Sequence, residues 1–134
     1  MTRTGIIIVS HGDSGQSMFE AAQKIVGEID ARIVTVPIGE ARDVTAGHIE
    51  SACAEHDADE LLFLVDLEGS TPFNVCSKRE GKTVLLSGVN LPMLFKLATV
   101  DRNRPAIEVA EELKATGIKS IHIRAGGARG TGET

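Results

Sequence analysis

Gly5-Ile6-Ile7-Ile8-Val9-Ser10-His11-Gly12 is the stretch from which the rest of the chain is read. An unbroken β-branched run, Ile6 to Val9, fits a strand buried on both faces, as in parallel sheets covered by helices on each side. A half-exposed strand would alternate apolar and polar residues instead. The run stops at Ser10, and His11 opens a glycine-containing loop, Gly12-Asp13-Ser14-Gly15. In open α/β sheets ligands and reacting groups gather beyond the carboxyl ends of the strands. His11 therefore stands at a position suited to chemistry.

Outward from this strand the signal recurs. Arg32-Ile33-Val34-Thr35-Val36 is a second strand stopped by Pro37, Leu61-Leu62-Phe63-Leu64-Val65-Asp66 a third, and Thr83-Val84-Leu85-Leu86 a fourth. Helical spacing lies between them. Met18, Ala21, Ala22, Ile25, Val26 and Ile29 follow a cap at Ser14 or Ser17, and Asp43 caps a helix through Val44, Ile49, Ala52 and Cys53. Thr71 as N-cap with Pro72 at the first helical position starts a third helix, to Arg79. Gly88-Val89-Asn90 turns into a Pro92-led helix, Met93 to Ala98, and a further helix from Pro105 to Thr116 ends at Gly117. Ile118, Ile121 and Ile123, with Lys119, Ser120 and His122 between them, predict a last strand suited to a sheet edge. The layout predicts an α/β fold: an open, mainly parallel sheet, about four parallel strands plus a C-terminal edge strand, with helices on both faces.

The length of 134 residues suits one domain, expected over 1–124, and the Gly-rich segment 125–134 has the composition of a flexible tail. Four Phe and no Trp or Tyr make the core aliphatic and disfavour a base-stacking nucleic-acid module. A net charge of −5 opposes a polyanionic partner as well, so no nucleic acid is expected. Cys53 and Cys76 lack metal-ligand spacing and read as buried reduced thiols of a reducing compartment. The Gly5–Val9 stretch is too short for a signal-peptide core, and no segment reaches transmembrane length. A cytoplasmic protein is expected. His48, His56 and His122 carry no partner pattern and receive no role. Gly12-Asp13-Ser14-Gly15 resembles a serine-peptidase nucleophile loop, but the many alternating strands of that double barrel are missing.

Chemistry can assemble where three loops converge, provided that strands one, three and four are near neighbours: His11-Gly12, Asp66 to Thr71, and Gly88-Val89-Asn90. A carboxylate that accepts the imidazole Nδ1–H fixes the tautomer, leaves Nε2 as the nucleophile and stabilises positive charge developing on the ring. Asp66 is the best-placed partner for His11. A phosphoryl electrophile would need donors for its oxygens, and the Thr71 hydroxyl and the N–H groups of the helix it opens supply them. No Walker-type or Gly-x-Gly-x-x-Gly sequence is present, so no nucleotide is expected, and a phosphoryl relay through His11 calls for no metal or other cofactor.

Ser10-His11-Gly12, Phe63-Leu64-Val65-Asp66-Leu67-Glu68-Gly69-Ser70-Thr71-Pro72-Phe73-Asn74 and Gly88-Val89-Asn90-Leu91-Pro92-Met93-Leu94 stand in order over about Gly5 to Arg124. In these motifs the chain resembles the mannose-family enzyme IIA domains of the bacterial sugar phosphotransferase system. The resemblance implies a cytoplasmic homodimer that takes a phosphoryl group from the phosphocarrier HPr onto His11 and passes it to a IIB histidine, meeting the membrane only indirectly through IIC and IID subunits. It also implies that Asp66 orients the imidazole, that Thr71 contacts the phosphoryl group, and that Ile118 to Arg124 pairs across the dimer. Two positions depart from the family pattern. Gly69-Ser70 stands where two glycines are usual, and Glu68 where a bulky apolar or aromatic residue is common. Glu68 and the free-standing length motivate an alternative, a regulatory module that senses phosphorylation and binds a kinase or transcriptional regulator without feeding sugar transport.

Overall fold

The computed structural model describes residues 2–77 and 81–127. In chain order the elements are β1 (Thr4–His11), α1 (Ser14–Val26), β2 (Arg32–Val36), α2 (Arg42–Ala54), β3 (Glu60–Val65), α3 (Thr71–Ser77), β4 (Thr83–Ser87), α4 (Leu91–Lys96) and α5 (Ala106–Lys119). The strands form one sheet in the order β2-β1-β3-β4, with every pairing parallel. β1 and β3 are the inner strands, and these are the two whose sequences read as continuous apolar runs.

Side-chain alternation divides β1 between two cores. Ile6 and Ile8 pack with Leu62 and Leu64 against α1, α4 and α5, while Ile7 and Val9 pack with Phe63 and Val65 against α2 and α3. All eight are fully buried. Each such side chain contributes about 2 kcal/mol of transfer free energy, which makes this double-sided strand pair the centre of the fold. Cys53 and Cys76 are buried in the second core. Among the described residues no helix is long and apolar enough to cross a membrane.

The expected C-terminal strand is not formed. Ile118 and Lys119 close α5, Ser120 is its C-cap, and 121–125 have no regular structure. The expected helix stop at Gly117 fails for the same reason: Gly117 is buried inside α5, where an added Cβ would lie 2.7 Å from Met93 Cε. This glycine allows close packing of α5 on α4, and the helix continues through it. Ile121 and Ile123 beyond the helix are 72% and 99% exposed, since the strand-like alternation finds no strand to pair with in a single chain. Of the tail expected at 125–134, residues 128–134 lie outside the described residues.

Helix starts also differ from expectation. Asp13 stands at the N-cap of α1 without a side-chain cap bond; Ser14 Oγ donates to the His11 carbonyl, and Ser17 lies inside the helix. α2 is preceded by Ala41, with Asp43 in its first turn. Asn90 caps α4 by accepting the Met93 N–H at 3.2 Å.

Candidate active site

His11 is the last residue of β1, in register with Val36 of β2, and the Gly12 N–H bonds to the Val36 carbonyl at 2.8 Å. Gly12 then turns the chain with φ +53°, a left-handed conformation that glycine adopts at little cost. Ser10 secures the other side of the turn. Fully buried, it accepts the Gly15 N–H on Oγ at 2.9 Å and so ties the strand end to the first turn of α1. A Cβ on Gly15 would lie 2.5 Å from that oxygen. Gly15 is thus a packing requirement, and sequence reasoning gave neither it nor Ser10 this role. The available signal was a serine closing an apolar run five residues before a glycine.

β3 stands directly beside β1, with Val9 opposite Val65, so Asp66 emerges next to the end of β1. Its Oδ2 accepts the His11 backbone N–H at 2.9 Å and lies 3.1 Å from His11 Nδ1. A carboxylate only accepts, so this bond requires the ring proton on Nδ1 and leaves Nε2 with its lone pair. The His11 side chain is 34% exposed and that of Asp66 19%. The second carboxylate oxygen, Oδ1, is buried without a hydrogen-bond partner among the described residues. Both donors to this carboxylate, the backbone N–H and the ring, thus come from His11 and meet the single oxygen Oδ2.

Thr71 follows five residues after Asp66, as the exposed first residue of α3. The cap of this helix is Ser70, whose Oγ accepts the Phe73 N–H at 3.3 Å and donates to the Leu67 carbonyl at 2.6 Å. The Asn74 N–H bonds to the Ser70 carbonyl at 2.8 Å, and Pro72 has no N–H. Most of the expected amide donors are thus occupied or missing, and the Thr71 hydroxyl has no hydrogen-bond partner among the described residues.

Strands one, three and four are consecutive in the sheet, as the expected convergence requires, with β3 between β1 and β4. The third loop meets the end of β3, where the Val89 N–H bonds to the Val65 carbonyl at 3.3 Å, while Asn90 turns toward α5, with its Nδ2 3.4 Å from the Gly117 carbonyl. The loop after β2 lies on the other flank of His11. Among the described residues no three His, Cys, Asp or Glu side chains are grouped as metal ligands would be.

The model of the family EIIA-man, the PTS system fructose IIA component, matches residues 5–114. The chain belongs to this family. Among its relatives, the fructose-specific EIIA component of Bacillus subtilis (strain 168) is 27% identical over 124 residues, covering 88% of this chain and 84% of that protein. The mannose-specific EIIAB component of Escherichia coli (strain K12) is 29% identical over 130 residues, or 89% of this chain but 40% of that longer protein. In structure, the mannose/sorbose-specific IIA subunit from Enterococcus faecalis superposes with a TM-score of 0.82 at 26% identity, covering 93% of this chain and 96% of that one. The IIA chain is accordingly a member of a phosphotransferase-system component family, with the four-stranded parallel sheet and flanking helices of that group.

Proposed function

We propose that this IIA chain is a phosphoryl carrier that accepts a phosphoryl group from phosphorylated HPr on His11 Nε2 and passes it to a IIB histidine for sugar uptake. The observation that carries the reading is the Asp66 carboxylate on His11 Nδ1 at 3.1 Å. In the transfer, the N–P bond of the donor phosphohistidine breaks as a new one forms to Nε2, and the departing imidazole nitrogen keeps the electron pair. No electron is gained or lost, and the Nδ1 proton stays on His11 against Asp66 while the ring becomes positive. The Thr71 hydroxyl donates to a phosphoryl oxygen. Both partners are proteins, so the exposed residues flanking the strand mouth, Leu67 beside Asp66 and Ile38 beyond Val36, meet them first.

The working form is a cytoplasmic homodimer, and it meets the membrane only through IIC and IID subunits. Exposed Ile118 and Ile121, which line a groove with Leu85 to Gly88 at the β4 edge of the sheet, support a second copy at this end. Sedimentation of the purified protein tests that part. For the transfer, the protein is incubated with phosphorylated HPr and the added phosphoryl mass is located by peptide mapping. Label on His11, and none in His11→Ala, is expected; label that persists in His11→Ala overturns the assignment.

A further inference from the structure

Ile38 is 89% exposed, yet the backbone that carries it is tied down at both ends. Before it, the Val36 carbonyl accepts the Gly12 N–H at 2.8 Å, next to His11. Ile38 follows two residues later, at most about 7 Å of chain from that bond. Between them Pro37 has a fixed φ. The Glu40 N–H closes a four-residue turn on the Pro37 carbonyl at 3.1 Å, with Gly39 at φ +88° in the third position, where a type II turn requires it. Ile38 is at the tip. After the turn, the Glu40 side chain reaches across to α2. Its Oε1 accepts the Thr45 hydroxyl at 2.8 Å and lies 3.4 Å from His48 Nδ1, and only 12% of the side chain is exposed. Thr45 is fully buried and begins the inward face of α2, which continues through Ile49 and Cys53. The turn is thus fixed to the sheet on one side and to a packed helix on the other. Its own closure needs only the Glu40 N–H, so the side-chain bond to Thr45 is an additional restraint.

We infer that Glu40 is a positioning residue for partner recognition: through Thr45 it holds the Pro37–Glu40 turn, and so Ile38, on the rim that a protein reaching His11 must cover. The inference rests on the phosphoryl-carrier reading above, and the partner is phosphorylated HPr. Transfer between two histidines brings both rings to one phosphorus atom, so the donor's surface around its own histidine closes over the mouth of β1. Ile38 stands beside that mouth through the bond between Val36 and Gly12. A mobile tip would have to be ordered on docking, which weakens binding; a tip already fixed offers its apolar surface without that loss. Glu40 therefore acts on the association with HPr and leaves the phosphoryl step at His11 unchanged.

The test measures the half-saturating concentration of phosphorylated HPr and the maximal transfer rate in Glu40→Ala, Glu40→Gln, Thr45→Val and Ile38→Ala. Glu40→Ala and Thr45→Val are each also combined with Ile38→Ala. Thr45→Val is the decisive variant, because residue 45 is fully buried and meets no partner, so its effect on HPr passes through Glu40. It carries the test alone should Glu40→Ala fail to fold. Glu40→Ala and Thr45→Val are each expected to raise the half-saturating concentration about threefold at an unchanged maximal rate. Glu40→Gln, whose amide oxygen still accepts the Thr45 hydroxyl, is expected to stay near wild type. On the Ile38→Ala background neither change should add a further increase, because the side chain being held is gone. Wild-type half-saturation in Thr45→Val, a lowered maximal rate with half-saturation unchanged, or an increase that persists on the Ile38→Ala background would each overturn the role of Glu40 and leave the carrier reading intact. A wild-type protein that accepts no phosphoryl group from HPr overturns both.

Discussion

Asp66 holds His11 at two points through a single oxygen, Oδ2, which meets the backbone N–H at 2.9 Å and Nδ1 at 3.1 Å. The backbone bond fixes where the strand end lies, and the ring bond fixes which nitrogen faces the partner. Coupling both to one atom means that imidazole orientation is referred to the sheet itself. Asp66→Asn preserves volume and an acceptor but removes the charge that balances the ring as it becomes positive. Phosphoryl transfer from HPr is expected to slow about 10²-fold, with the urea midpoint near wild type. Rapid-quench kinetics read this directly, and a wild-type rate in Asp66→Asn would refute the electrostatic role.

Gly15→Ala tests the turn that presents His11. The new Cβ would meet Ser10 Oγ at 2.5 Å, Ser10 Cβ at 2.9 Å and Ile8 Cγ2 at 3.2 Å, all on fully buried side chains with no space to retreat. Urea denaturation should show a loss of about 2 kcal/mol, in the range for overpacked cores. Ser10→Ala alone should cost about 1 kcal/mol through the lost N–H acceptor. The double variant should cost less than the sum, because removing Oγ relieves the closest clash.

The opposite pole of the sheet carries an acid-sensitive contact. His56 packs on Gly5, where a Cβ would come within 2.7 Å of its Nδ1, and its Nε2 is buried without a hydrogen-bond partner among the described residues. Burial first, then the nearby Arg32 and Arg3 cations, hold its pKa below the ordinary 6.5, against the opposing pull of Asp30 and the Ile6 carbonyl. The unfolded chain therefore binds the proton more readily than the folded one. Stability from this site is complete above pH 6.5 and declines as pH falls toward the depressed folded value. Between about pH 7.5 and about pH 5.5 the wild-type urea midpoint should fall further than that of His56→Gln. Parallel slopes in the two proteins would contradict the assignment.

Leu67 is 60% exposed and Ile38 89%, on the loops either side of the histidine. A protein donor that covers His11 buries part of these side chains, worth about 1 kcal/mol each. Leu67→Ala and Ile38→Ala should each raise the half-saturating HPr concentration about fivefold, with little change in maximal rate. Steady-state titration with phosphorylated HPr separates the two parameters.

The strands were legible because burial on both faces leaves a local mark. Arg32–Val36 falls where the sequence places it, and β1 and β3 announce themselves as apolar runs, with His11 ending the first and Asp66 following the second. Helix starts were less legible, since several hydroxyls compete within a few residues. The choice of Ser70 over Thr71 at α3, and of Ser10 as the acceptor for Gly15, depends on where the preceding strand delivers the backbone. At the C-terminus, the alternation of Ile121 and Ile123 reads as a strand, yet a strand exists only when another edge pairs with it.

By itself, the sequence determined the class of fold, the position of His11 at a strand mouth and the chemical types of its candidate supports, because these follow from hydrophobic runs and side-chain chemistry. Tertiary structure alone decided the strand order. That order seats β3 and Asp66 beside His11, puts the loop after β2 on the other flank and keeps the Gly88-Val89-Asn90 loop one strand away. The physical reason is that parallel neighbours are joined by crossovers, so adjacency in the sheet is settled by how helices cover its two faces and leaves little trace in the order of residues along the chain.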